Sequence, residues 1–254
     1  MTERFEVTFP VLGGSEERYA YIHLPNSYFR NETKRYPVLY MFDGHNVFFD
    51  EDATYGKSWG MEKFMNRSRT QMIIVAVECS HDPNNGRLKE YSPFTFRYAG
   101  VGEIAGTGAK TMDWYVNELK PAVDAHFRTL PDREHTFIAG SSMGGLMSLY
   151  ALMKYNHVFS RAAALSPSLW TSPRRVKEFI NKSNIDSNTV LYMDYGSEEM
   201  SNHKGISRIY ADINSLLIQK GVMIESRIVP RGEHCEASWE RQIPFFMKTL
   251  LYKY

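Results

Sequence analysis

Gly140-Ser141-Ser142-Met143-Gly144-Gly145 is the stretch on which the reading of this chain turns. It follows the apolar run from His135 to Ala139, which reads as a strand, and it precedes Leu146 to Met153, which reads as a helix. Strand, G-x-S-x-G and helix in that order is a nucleophile-elbow pattern. A serine on so sharp a turn needs small residues two places to either side, because the strand and helix backbones approach too closely there for side chains. Ser142 then stands at a helix N-terminus, where backbone amides favour developing negative charge. Ser141 offers a competing hydroxyl, but it occupies the x position and has no glycine two places before it.

Outward from the elbow the chain consists of short, nearly continuous apolar runs: Pro37 to Phe42, Met72 to Val77, Ala162 to Leu165, Val190 to Met193 and Met223 to Val229. Strands buried on both faces of a parallel sheet have this composition. Arg18 to Leu24 instead alternates, which predicts an antiparallel hairpin at the start. Ile206, Ile209, Tyr210, Ile213, Leu216 and Leu217 recur at helical spacing, with Gly221 placed to stop the helix. A last helix is predicted from Trp239, Ile243, Phe246, Met247 and Leu250. The expected fold is therefore one α/β domain over residues 1–254: a mostly parallel central sheet with antiparallel N-terminal strands and helices on both faces. The stretch from Cys79 to Gly108 reads as a long irregular loop, and its rings suit either surface packing or the substrate side.

Composition narrows the function classes. The 254 residues are 43% hydrophobic and 23% charged, ordinary for one large globular domain. Thirty Lys and Arg offset 29 Asp and Glu, so no net field favours nucleic acid or an anionic membrane. No run approaches the roughly eighteen apolar residues of a membrane span, and the opening residues carry no apolar leader, so a cytoplasmic location is expected. Cys79 and Cys235 are the two cysteines, which excludes a disulfide framework and a Cys-rich zinc site but leaves one bridge between them open.

A serine hydroxyl needs a base, and the base an acid. Among eight histidines His234 fits best, because it follows the last apolar run through Pro230-Arg231-Gly232 and precedes the last helix. Open α/β sheets place ligand sites at that edge. His203 lies in a loop and is the other histidine so placed. The acid belongs beyond an intervening strand, where Asp194, Glu198 and Glu199 are all available. The oxyanion donors are assigned to the amide of Met143 and, past the strand ending at Phe42, to the amide of His45, with Gly44 allowing the tight turn.

Asn117 to Pro121, Asp132 to Thr136, Gly140 to Gly145 and Leu165-Ser166-Pro167-Ser168-Leu169-Trp170 together resemble the Putative esterase family of α/β hydrolases. That family includes S-formylglutathione hydrolase, enterobactin-type siderophore esterases, feruloyl and acetyl xylan esterases, and mycolyltransferases. The similarity runs from about Arg18 to the final helix. It implies an α/β-hydrolase fold with Ser142 as nucleophile, His234 as base and, from Gly196-Ser197-Glu198-Glu199, Glu199 as the acid. This sequence has Ser where the family loop carries Thr, and Glu where several relatives carry Asp. Phe42-Asp43-Gly44-His45 is similar to the family's loop after the early strand and implies the His45 amide as donor. Trp170 resembles a tryptophan that lines the cleft, and Arg87, Glu90, Tyr91, Ser92 and Pro93 are similar to a segment beside the site.

The expectation is a cofactor-free, metal-free serine esterase acting through an acyl-enzyme on small or oligosaccharide esters, acetyl or feruloyl esters of carbohydrates foremost. A thioesterase of the S-formylglutathione type, a siderophore esterase and a non-catalytic protein of the same fold are the alternatives. The interval between Ser142 and Glu199 leaves no room for a large cap. Trp59, Tyr91, Phe94 and Trp170 offer rings for stacking, with plain packing as the alternative, and Trp239 is read as core. Asp43, His45, Asp50, Glu51 and Asp52 raise a metal-dependent hydrolase, yet lack any recognised ligand spacing. The sequence is neutral on self-association and compatible with a homo-oligomer.

Overall fold

Val38, Tyr40 and Phe42 point to one side of the central sheet and Leu39 and Met41 to the other, all of them buried. This alternation on an apolar strand is what a sheet covered on both faces requires. The computed structural model of the chain describes residues 1–11 and 14–252. A hairpin of β1 (Thr2–Val11) and β2 (Gly14–His23) opens it, followed by β3 (Val38–Phe42), helix α1 (Met61–Ser68) and β4 (Ile73–Val77). Then come α2 (Gly86–Glu90), β5 (Phe96–Tyr98), β6 (Gly102–Ile104), α3 (Gly108–Trp114) and α4 (Lys120–His126). The elbow region comprises β7 (Thr136–Ser141) and α5 (Met143–Lys154). The remainder is β8 (Arg161–Leu165), α6 (Pro173–Lys182), β9 (Val190–Gly196), α7 (Ile206–Gln219), β10 (Met223–Val229), α8 (Glu236–Glu240) and α9 (Ile243–Leu250).

Among the described residues the main sheet has eight strands in the order β1-β2-β4-β3-β7-β8-β9-β10. The β1–β2 and β2–β4 pairs are antiparallel and every pair from β4 to β10 is parallel. One core lies under α3, α5, α6 and α7, and the other under α1 and α9, which bring Met61, Met65, Ile243 and Phe246 onto Leu39 and Met41. Truncating a wholly buried residue such as Leu39 to Ala costs about 2–5 kcal/mol. The parallel strands aim their carboxyl ends at one edge, where the loops after β3, β7, β8, β9 and β10 meet.

Three expectations change in detail. The predicted last helix is two, because Pro244 has no N–H with which to continue the ladder, so α9 restarts after Gln242. The stretch from Cys79 to Gly108 is not wholly irregular: it contains α2 and the β5–β6 hairpin, pinned by the buried rings of Tyr91 and Phe96. His135 ends a short helical turn, so the nucleophile strand begins at Thr136. No described helix is long and apolar enough to cross a membrane.

Candidate active site

Ser142 sits between β7 and α5 with φ 57° and ψ −120°, a conformation that L residues avoid and that costs on the order of 1–3 kcal/mol. Its amide donates to the Leu165 carbonyl at 2.9 Å, and a Cβ on Gly140 would lie 2.7 Å from the Gly144 backbone. The close approach expected around the elbow is therefore present. Ser141 is buried at the end of β7.

His234, after β10, places Nε2 2.9 Å from the Ser142 Oγ and Nδ1 2.6 Å from Glu199 Oε2. Glu199 is 3% exposed, and its other oxygen, Oε1, accepts from the Gly196 amide at 2.9 Å and from the Ser166 hydroxyl at 2.7 Å. The loops carrying Glu199 and His234 are bonded to each other: Glu198 N donates to Gly232 O, and Arg231 N to Ser197 Oγ. That junction follows from the parallel register, which sets Gly196 beside Val229 at the ends of β9 and β10.

The other two acids go elsewhere. Glu198 is exposed and takes a hydrogen bond from Ser197 Oγ. Asp194 is buried within β9, accepting from the Tyr192 hydroxyl at 2.8 Å and the Ser166 amide at 3.1 Å, and burial pushes its carboxyl up to about 7. His203 reaches the site but stacks on Trp170, ring centroids 4.1 Å apart; burial and the neighbouring His234 hold it below the usual imidazole range.

The loop after β3 differs from expectation in how it turns. Asp43, not Gly44, takes the left-handed conformation, at φ 57° and ψ 52°. Gly44 is needed for space, since a Cβ there would lie 2.5 Å from the Ala76 carbonyl oxygen. Arg87 grips Asp43 with Nε at 2.6 Å and Nη2 at 2.7 Å, and the Asp43 amide donates to the Tyr91 hydroxyl. Burial raises the Asp43 carboxyl, but the Arg87 charge and hydrogen bonds outweigh it and hold the group below the usual carboxylate range. The Met143 amide is in the first turn of α5, where no carbonyl within the helix can accept it, and the His45 amide lies two positions past the left-handed Asp43.

Two cavities open on Ser142 and His234. One, about 280 Å³, is lined by Tyr98, Met143, Ser168, Trp170, Tyr195 and His203 among others, with Tyr98 and Trp170 5.6 Å apart between ring centroids. The other, about 630 Å³, is lined by His45, Thr54, Lys57, Cys79, Ser80 and Glu236 among others, with Arg87 bordering both. Of the rings offered for stacking, Trp170 is in place, whereas Trp59 and Tyr91 are buried in the cores and Phe94 packs on Tyr150 and Phe179. Tyr98 and His203 complete the aromatic wall. Tyr98 ends β5 and belongs to the stretch whose rings suit either surface packing or the substrate side, whereas the sequence presents His203 only as a candidate base, because a loop residue without periodicity gives no sign of what its ring packs on.

Asp43, His45 and Cys79 bring ligand-type atoms within 4.8 Å of one another. The set suits a cation poorly: both Asp43 oxygens are held by Arg87, and burial pushes the Cys79 thiol up. Asp50 accepts from Ser58 and Asp52 pairs with Arg4, so neither joins the cluster. Cys79 and Cys235 are both free thiols, and both border the larger of these two cavities.

Three likenesses accompany this geometry. Uncharacterized protein YbbA of Bacillus subtilis (strain 168) is 25% identical over 193 residues, 74% of this chain and 71% of that protein. The endo-1,4-beta-xylanase/feruloyl esterase of Xylanibacter ruminicola is 23% identical over 251 residues, 96% of this chain but 31% of that much longer protein. Among solved structures, an IroE-like serine hydrolase from Shewanella oneidensis superposes with a TM-score of 0.74 at 21% identity, covering 98% of this chain and 78% of its own. The family model described as Putative esterase matches residues 15–247, so the chain belongs to that family and is an esterase of the α/β-hydrolase fold.

Proposed function

We propose that Ser142, His234 and Glu199 form a catalytic triad that hydrolyses carboxylic esters through an acyl-enzyme. The observation that carries the reading is the unbroken line of contacts, 2.9 Å from Ser142 Oγ to His234 Nε2 and 2.6 Å from Nδ1 to Glu199 Oε2. Glu199 can only accept when ionised, which puts the proton on Nδ1 and leaves Nε2 to accept from the serine. Ser142 Oγ attacks the ester carbonyl as its proton passes to Nε2. The oxyanion is met by the amides of Met143 and His45, each worth about a hundredfold or more in kcat if such a donor is removed. On collapse His234 gives the proton to the leaving alkoxide. Water, deprotonated by the same nitrogen, then releases the acid and restores Ser142.

The substrates proposed are acetyl or feruloyl esters of carbohydrates. Support comes from the two-sided cleft, with Tyr98, Trp170 and His203 giving a planar group a wall to stack on, and with His45, Thr54, Lys57 and Ser80 in the larger cavity offering hydrogen-bonding groups to hydroxylated material. The feruloyl esterase named above supports the same class.

The test is hydrolysis of chromogenic acetate, butyrate and octanoate esters, and of methyl ferulate, acetylated xylo-oligosaccharides, S-formylglutathione and a siderophore triester, by wild type and Ser142→Ala with a chelator present. A loss of about a thousandfold or more in the variant, with acetate or ferulate preferred, is expected. Equal rates in both proteins overturn the triad, and preference for S-formylglutathione or a siderophore triester over every sugar ester overturns the substrate class.

A further inference from the structure

Ser166, directly after β8, is 1% exposed and has φ 42°. A buried serine held in left-handed backbone costs free energy unless its surroundings fix it. Here they do. Its amide donates to both the carbonyl oxygen and Oδ1 of Asp194, each at 3.1 Å, while Asp194 accepts the Tyr192 hydroxyl at 2.8 Å. Its hydroxyl is the point where two elements meet: Trp239 Nε1 donates to Ser166 Oγ at 3.1 Å, and Ser166 Oγ lies 2.7 Å from Glu199 Oε1.

The direction of this chain is set by donor inventory. An indole nitrogen can only donate and an ionised carboxylate can only accept, so the single Ser166 proton is turned toward Glu199. With the Gly196 amide at 2.9 Å, Oε1 has two donors, which leaves Oε2 to face His234. Trp239 also touches the base itself, its ring standing at 82° to the His234 imidazole with centroids 5.1 Å apart. The same ring packs on Trp59, with centroids 5.9 Å apart. One residue therefore contacts the base and, through a hydroxyl, the acid.

We propose that Trp239 and Ser166 are positioning residues for the triad: the indole N–H orients the Ser166 hydroxyl, that hydroxyl holds the Glu199 carboxylate, and the indole ring limits rotation of His234. The proposal rests on the catalytic reading of Ser142, His234 and Glu199. It gives Trp239 a role in the reaction beyond that of a core residue.

Steady-state kinetics on a chromogenic acetate ester tests it with Trp239→Phe, Ser166→Gly and Ser142→Ala, and with the first two repeated in Glu199→Gln. Phenylalanine keeps a ring and removes the N–H; glycine removes the hydroxyl while accepting φ 42° without strain. Ser166→Gly is expected to lower kcat about tenfold and Trp239→Phe about threefold to tenfold, with KM within twofold. In Glu199→Gln each change is expected to cost less than twofold, because the carboxylate it serves is gone. Undiminished effects in that background, or effects confined to KM, overturn the proposal while an inactive Ser142→Ala leaves the triad standing. A Ser142→Ala enzyme with the wild-type rate removes the triad and this proposal together.

Discussion

Arg87 holds both carboxylate oxygens of Asp43, with Nε at 2.6 Å and Nη2 at 2.7 Å, across 44 positions of sequence. Asp43 is the left-handed residue that turns the chain from β3 into the loop bearing the His45 amide. The ion pair thus secures a strained turn beside Ser142. Tyr91 adds a second tie, accepting from the Asp43 amide at 3.2 Å just past the end of the helix that carries Arg87.

Arg87→Ala leaves the Asp43 carboxylate buried without its partner and is expected to destabilise the fold by about 3 kcal/mol, the lower end for a broken buried pair because Arg87 keeps some contact with water. The pair also sets a pH dependence. The Asp43 carboxyl titrates lower in the folded chain than unfolded, so its contribution is complete above the unfolded value of about 4 and is lost as pH falls through the folded one. Urea unfolding between pH 2.5 and pH 6 measures this. Asp43→Asn flattens the acid side of that curve, and a curve unchanged by the substitution assigns the acid loss to other groups.

Glu199→Gln is expected to lower kcat/KM by about a hundredfold to ten-thousandfold, whereas Glu198→Gln stays within twofold of wild type. The two side chains are adjacent in sequence, but one is buried against His234 and the other is in water. Parallel kinetics on the two variants decide between them, and a larger loss in Glu198→Gln reverses the assignment.

Trp170→Ala removes the centre of the aromatic wall formed with Tyr98 and His203. For a feruloyl or other aryl ester, KM is expected to rise about threefold to tenfold, the value of one stacked pair beyond its burial. For a plain acetate ester KM is expected to change less than twofold. Equal changes for both substrates show that the wall does not contact the aryl group.

Asp194 titrates upward, to about 7, because it is buried, so its effect on stability has the opposite sign to that of Asp43. Folding is favoured most while the group is protonated in both states, below about pH 4, and this advantage is lost as pH rises toward 7. Asp194→Asn is expected to reduce the fall in Tm between pH 5 and pH 8 measured by calorimetry. An unaltered fall shows that Asp194 is ionised across that range.

Much of the fold was legible in local pattern. Continuous apolar runs can be buried on both faces only in a covered parallel sheet, and Ser142 is held by a five-residue motif whose strand and helix flanks are themselves local. His234 was legible from its place after the last run, since parallel strands deliver their following loops to one edge. The resemblance singled out Glu199, but residue pattern alone left three carboxylates. What separates them is direction: Glu199 is turned inward by Ser166 and Gly196, while Asp194 is bound by Tyr192 and Ser166. Likewise, only the tertiary structure brings Arg87 to Asp43, His203 onto Trp170, and the Trp239 indole N–H to Ser166. Sequence by itself determined the order of strands and helices, the elbow and the edge to which Ser142 and His234 are delivered, because these depend on contacts between near neighbours. The tertiary structure decided which polar groups face one another across that edge, because hydrogen bonds between residues tens of positions apart leave no periodicity along the chain.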